Sequence, residues 1–142
     1  MAAIRRSQIV SPNLIKQRVY SDITSEFVIH PNKKDVVLNE NEDAVKESIR
    51  NILRTRRGER FYNPSFGSDI YSILFENFTP QTEVQLRNYI ETSIDNFEPR
   101  AKLISVDLTP YPDENGYSIS IVFSVINRTD PVQLELLLNR IR

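Results

Sequence analysis

The sequence predicts a small α+β domain, with about three helices packed on a mainly antiparallel sheet that ends in a three-strand meander. Three observations carry that class. Apolar residues recur at helical spacing from Glu42 to Arg57 and again from Pro80 to Phe97. From Ile104 to Leu138 the pattern changes to alternation, with apolar residues at every second position. An Asn115-Gly116 pair, the sharpest hairpin signal in the chain, lies between the first two alternating runs. Helices followed by a run of strands fit helices gathered on one face of an antiparallel sheet.

The 142 residues suit one domain, and a chain of this size buries roughly 68–70% of its extended surface. Residues 1–18 are expected to form an N-terminal arm, because isolated apolar positions (Ile4, Ile9, Val10, Leu14, Ile15) stand among polar ones and Pro12 interrupts any helix. Residues 19–142 are expected to form the domain. Lys plus Arg number 18 against 19 for Asp plus Glu, a balance that argues against a general nucleic-acid or acidic-membrane surface. There is no cysteine, which excludes disulfides, thiolate metal sites and cysteine nucleophiles together. No apolar run approaches the ~18 residues of a membrane span, and the N-terminus lacks the apolar core of a secretory signal.

Between Val19 and Leu38, three short extended signals (VYSDI, EFVI, DVVL) are separated by the polar break His30 to Lys34. The first helix is expected from Glu42 to Arg57. Asn39 or Asn41 can cap it, Glu42 and Asp43 suit its positive end, and Val45, Ile49, Ile52 and Leu53 form its apolar face. Arg54, Arg56 and Arg57 would then oppose the negative end, and Gly58 would take the left-handed stop. In the link that follows, Pro64 sets a bend and Phe61, Tyr62 and Phe66 are expected to anchor in the core. Gly67-Ser68-Asp69 opens a short helix with Ile70, Ile73 and Leu74 inward, and Phe75 and Phe78 close its apolar end.

Thr79-Pro80 is a strong helix start, a hydroxyl cap followed by proline where no amide bond is lost. This third helix should run to about Asn96, burying Leu86, Ile90, Ile94 and Phe97 and turning Glu83, Arg87 and Glu91 to water. Pro99 ends it by biasing Glu98 away from helical angles. The strands then place Ile104, Val106 and Leu108 on one face, followed by Tyr117, Ile119, Ile121, Phe123 and Val125, and by Val132, Leu134, Leu136 and Leu138. Turns are expected at Asp113 to Gly116 and at Asn127 to Pro131. Val122, Ile126 and Leu137 fall on the face that should be wet, which suggests a cover from the N-terminal segment or another protein.

Catalytic signals are thin. The single histidine, His30, sits in a turn-like segment, and no HExxH, Walker, GxGxxG or GxSxG pattern occurs. No metal or cofactor is expected. Glu59, Asp69, Glu76 and Glu98 lie near structural breaks, and glycoside hydrolysis needs only two carboxylates about 5–10 Å apart. Among 19 acidic residues such pairs always occur, and there is no tryptophan to line a sugar groove. The arginines between Arg50 and Arg60 fit helix capping and salt bridges better than a phosphate grip. Glu98-Pro99-Arg100 supports two readings: a helix stop flanked by solvated charges, or a rigid corner that presents a guanidinium fork to a partner.

The succession AVKESIRNILRTRRGERFYNPSFGSDIYSILFEN, the TP helix start and NFEPR before the strands resemble the baseplate wedge family of contractile phage tails. That family includes the sheath-initiating baseplate subunit of type VI secretion systems and once carried a lysozyme-like label. The likeness runs from about Tyr20 to the C-terminus. It rests on Arg57, Gly58, Glu59, Arg60, Pro64 and Gly67 together with Glu98, Pro99 and Arg100. It implies a structural part and no enzyme. Glu98, Pro99 and Arg100 would dock on the wedge core bundle, and strands 102–139 would be offered to the tail sheath protein. Tube or hub proteins would be neighbours, with six copies per baseplate and no nucleic acid or membrane partner. The location implied is the virion tail baseplate, assembled in the host cytoplasm, or the bacterial cytoplasm for a secretion system or tail-like particle. The alternatives are a peptidoglycan-degrading lysozyme-like enzyme and a regulatory adaptor on the same fold.

Overall fold

The computed structural model describes residues 19–25, 27–32, 34–112, 116–126, 128 and 130–139. The expected N-terminal arm, the tip of the Asp113–Gly116 hairpin, and Asn127 and Thr129 of the next turn lie outside the described residues. The elements are β1 (Ser21–Ile23), β2 (Leu38–Glu40), α1 (Glu42–Arg54), α2 (Ile70–Ile73), α3 (Pro80–Phe97), β3 (Ala101–Tyr111), β4 (Gly116–Val125) and β5 (Pro131–Asn139). Helices and an antiparallel meander appear in the predicted order, and the domain is α+β.

The three C-terminal strands form one sheet in the order β3-β4-β5. Tyr117, Ile119, Ile121, Phe123 and Val125 of β4 are all buried, as are Val132, Leu134, Leu136 and Leu138 of β5. Their face meets Val45, Ile49 and Leu53 of α1, Ile70 and Ile73 of α2, and Leu86, Ile90 and Ile94 of α3 in one core. Removing an aromatic of this kind, such as Phe123, costs about 3–5 kcal/mol in a well-packed interior.

β3 departs from simple alternation. Its register with β4 runs Ala101↔Val125, Lys102↔Ser124, Leu103↔Phe123 and then jumps to Ser105↔Val122. Ile104 is therefore the extra residue of a β-bulge, which reverses the facing of everything after it. Leu103 and Val106 both turn inward, while Ile104, expected in the core, is 59% exposed. A strict two-residue period through Leu103, Ile104 and Val106 could not have buried both Leu103 and Val106.

The N-terminal signals form a two-stranded ribbon in which Ser21 pairs with Glu40 and Ile23 with Leu38. DVVL supplies Leu38 to β2, and Ile29 of EFVI meets Val36 of DVVL in an isolated bridge. Asn41 does precede α1, but its side chain makes no helix cap. With φ at +52°, it turns Oδ1 to the incoming chain and accepts from the backbone N–H of Val19 at 2.8 Å and Tyr20 at 3.3 Å. An Arg128–Glu42 ion pair also ties the connection after β4 to the start of α1.

The start of α3 is as predicted. Thr79 is extended, its Oγ1 accepts from the Thr82 N–H at 3.2 Å, and Pro80 is the first helical residue. The end of α1 is not. The helix stops at Arg54 rather than Arg57, and Thr55 is extended. The cause is a competing partner: Ser68 N–H donates to the Thr55 carbonyl at 2.9 Å, its hydroxyl donates to the Leu53 carbonyl at 2.9 Å, and Arg56 bridges to Ser68 in parallel. Gly58 is left-handed, with φ of +85°, but inside the following loop. Of the clustered arginines only Arg54 sits in the last helical turn.

Candidate docking corner

α3 ends at Glu98, whose φ of −126° and ψ of 76° leave the helix while its N–H still donates to the Ile94 carbonyl at 2.8 Å. Two residues later the Ala101 N–H donates back to the Glu98 carbonyl at 3.1 Å, and β3 begins. Pro99, which fixes its own φ and offers no N–H, sits exposed at the apex of this turn. The Arg100 carbonyl accepts from the Ile126 N–H at 2.9 Å, so the far side of the corner is tied to the end of β4.

The side chains differ from the picture of solvated charges flanking a helix stop. Glu98 is only 1% exposed. Arg100 donates to it through Nε at 2.6 Å and Nη2 at 2.7 Å, a bidentate pair, and the Arg100 backbone N–H adds a contact at 3.3 Å. Burial alone would raise the Glu98 carboxyl. Hydrogen bonds from Arg100 and from Ser48, with the charge of Arg100, outweigh it and hold the carboxyl below its usual range. The same pairing raises Arg100. The Arg100 side chain stays 31% exposed, and its guanidinium also lies 5.4 Å from the Tyr20 ring centroid. Glu98 thus points inward as a holder, and Pro99 with the outer edge of Arg100 faces out.

Beside the corner lies an open groove of about 600 Å³ lined by Glu91, Asp95, Pro99, Ala101, Lys102, Leu103, Ile104, Ser105 and Ile126. Ile104 is there because of the bulge, and Ile126 is one of the apolar residues expected on the wet face. Neither was singled out from sequence as part of a site. Ile126 carried the signal, as an apolar residue out of phase with its strand. Leu137, also out of phase, lines a second, more polar groove of about 630 Å³ between β5, α1 and Thr24 and Ser25.

The other marked residues lie in the loop from Thr55 to Asp69. Gly58 N–H donates to the Pro64 carbonyl at 2.8 Å and closes the loop. Gly67 has φ of +114°, and a Cβ there would meet the Thr55 carbonyl oxygen at 2.6 Å, so the position requires glycine. Glu59 accepts from the Arg56 backbone N–H at 2.9 Å, and Arg57 pairs with Asp69 at 3.0 Å. Arg56 lies 4.6 Å over the Tyr71 ring and Arg60 lies 3.9 Å over Phe66. Phe66 packs against Phe97 at the end of α3, with ring centroids 5.0 Å apart.

Phe66 is therefore an anchor, but Phe61 and Tyr62 are not. They are 99% and 104% exposed, at the tip of the loop that Gly58 and Pro64 close. Phe75 and Phe78 also stay partly exposed, with Phe78 resting 5.0 Å from the Tyr117 ring.

The four carboxylates considered for catalysis do not share a role. Glu98 is held by Arg100, Asp69 by Arg57 and Glu59 by a backbone amide, while Glu76 is exposed. His30 lies in the N-terminal hairpin, where its Nδ1 accepts from the Asn32 N–H at 3.2 Å. Among the described residues no group of three or more His, Cys, Asp or Glu could hold a metal ion, and no helix is long and apolar enough to cross a membrane.

A small α+β domain whose best-organised polar feature is an internally clamped corner, next to an open groove, has the character of an assembly module. The chain belongs to the family of the baseplate wedge protein gp25, whose pattern matches residues 39–130. It is similar to baseplate wedge protein gp25 of Enterobacteria phage T4, with 36% identity over 116 residues, 82% of this chain and 87% of the relative. A Geobacter sulfurreducens protein described as a candidate tail lysozyme superposes with a TM-score of 0.70 at 30% identity, over 75% of this chain and 97% of its own. A chain of the sixfold-symmetrised anti-feeding prophage baseplate shares the fold, with a TM-score of 0.60, 24% identity and 87% of each chain covered.

Proposed function

We propose that this protein is a structural component of a contractile-tail baseplate wedge that docks on the wedge core through the corner at Glu98, Pro99 and Arg100. Membership of the wedge family supports the setting. The observation that carries the docking role is the bidentate clamp. A buried carboxylate holds the Arg100 guanidinium while part of it remains exposed beside Pro99 and the groove. Such a fork is pre-organised, so little side-chain entropy is lost when it meets a partner carbonyl or carboxylate. Glu98 acts through Arg100, and Arg100 and Pro99 make the contact.

In this reading the strands from 102 to 139 are offered to the first sheath ring. The ladder ends at β3 and β5 among the described residues, and edge strands present unpaired amides and carbonyls that an added strand can satisfy. The copy number expected in a sixfold baseplate is six, and the location is the virion tail. No enzymatic step belongs to this role. The lysozyme label of the Geobacter protein is answered by a lysis assay on purified protein, where no peptidoglycan release is expected. Release abolished by replacing one of Glu59, Asp69, Glu76 or Glu98 would restore the enzyme reading.

The docking test compares Arg100→Ala with the double variant Glu98→Leu/Arg100→Met in co-purification with the wedge proteins. The double variant removes the buried charge together with its partner, which keeps the interior neutral. Both variants should lose association, and the double variant should do so while remaining folded. Wild-type recovery of wedge proteins with a folded double variant would exclude the corner as the docking point.

A further inference from the structure

The aromatic tip of the loop from Thr55 to Asp69 has no part in the corner, and its construction calls for a separate explanation. Phe61 and Tyr62 stand side by side at 99% and 104% exposure. Two consecutive aromatics left wholly in water gain nothing for the fold, since neither removes apolar surface from solvent. Yet the loop beneath them is firmly built. Gly58 is bonded to Pro64, Ser68 to Thr55 and Arg57 to Asp69, and Phe66 is wedged between Arg60 and Phe97. The tip is a rigid mount carrying two large side chains outward.

The charge around the tip selects a kind of partner. Arg56, Arg57 and Arg60 are exposed in this loop, which carries Glu59 and Asp69 as its acidic residues. Arg56 and Arg60 lie over rings, and among the described residues neither is in an ion pair. Their charge is left to act outward. Tyr and Arg are the residues that dominate binding energy at protein interfaces, where a rigid aromatic enters a pocket and its cationic rim meets opposite charge.

We infer that the Phe61-Tyr62 tip is a second docking point, which inserts into an apolar pocket rimmed by carboxylates on another baseplate subunit. The contact is independent of the corner, because Phe61 and Tyr62 touch neither Glu98 nor Arg100. A partner with an acidic rim is the one the three arginines fit, and a basic surface is not.

The test uses the full chain in baseplates assembled in cells that express the complete tail. Phe61→Ala/Tyr62→Ala should lower incorporation at least tenfold, with a melting temperature equal to wild type because neither ring is buried. Arg60→Glu should reduce incorporation further than Arg60→Ala. A photo-crosslinking amino acid at position 61 should join the chain to one other subunit, at a peptide carrying Asp or Glu among apolar residues. Incorporation of the double alanine variant within twofold of wild type would overturn the proposal. So would crosslinks only to a second copy of this chain, or to a peptide without acidic residues. Loss of incorporation in the Arg100 variants alone bears on the corner and leaves this contact standing.

Discussion

The corner at Glu98–Arg100 and the loop from Thr55 to Asp69 both carry arginine, proline and a carboxylate, and they use them in opposite ways. At the corner the carboxylate is buried and the guanidinium is clamped to it by two short hydrogen bonds. In the loop the Arg57–Asp69 ion pair is half in water, and the neighbouring guanidiniums lie on aromatic rings. The corner is held by electrostatics in a protected place. The loop is held by backbone geometry, with two glycines in left-handed conformations. A dense cluster of charged residues in a sequence therefore marks neither stability nor contact by itself. Burial decides which of the two it serves.

The comparison breaks most visibly if arginines are removed from each region. Arg100→Ala leaves the Glu98 carboxylate buried without its fork. Losing one partner of a buried pair costs about 3–5 kcal/mol, and the partial exposure of Arg100 places the expected loss near the lower end. Arg57→Ala, at a half-exposed pair, should cost no more than about 1 kcal/mol. Chemical denaturation of the two variants reads both, and equal losses would contradict the contrast.

Backbone substitutions come next in size. Gly67→Ala forces a Cβ against the Thr55 carbonyl oxygen at a positive φ and should cost about 2–3 kcal/mol. Gly58→Ala meets nothing within 4 Å, so only the left-handed conformation opposes it, about 1 kcal/mol. A larger loss at Gly58 than at Gly67 would mean that the loop is not closed as described.

The smallest effect is the pH dependence of the corner. Glu98 is depressed in the folded protein, so its stabilising contribution is complete above the unfolded carboxylate value, about 4.3. It is lost as the pH falls through the folded value. In thermal melts the gap between wild type and Glu98→Gln should be widest near neutrality and narrow on acidification below that point. A gap that widens in acid would show that Glu98 is not held as a carboxylate.

Much of this architecture was readable from residues, for reasons that differ by region. β4 and β5 bury one face and expose the other, so alternation alone placed Tyr117 through Val125 and Val132 through Leu138. Thr79-Pro80 and Pro99 act through local backbone chemistry and fixed both ends of α3 to within a residue. What was not legible depends on contacts across the chain. α1 stops early because Ser68, fourteen residues on, takes up the Leu53 and Thr55 carbonyls. Ile104 turns outward because β3 needs one more residue than β4 at that point. Phe61 and Tyr62 look like core residues by type, and only the closure of the loop at Gly58 and Pro64 puts them outside. At the corner the sequence singled out Glu98, Pro99 and Arg100 but not how their side chains divide, since sequence does not tell that Glu98 faces the interior.

Cryo-microscopy of an assembled baseplate containing this chain, at a resolution that shows side chains, tests the central proposal most directly. Pro99 and the outer edge of Arg100 should lie against a helical bundle of the wedge core, with Arg100 still paired to Glu98. A corner that faces solvent in the assembled particle, or an Arg100 that has left Glu98, would contradict the account.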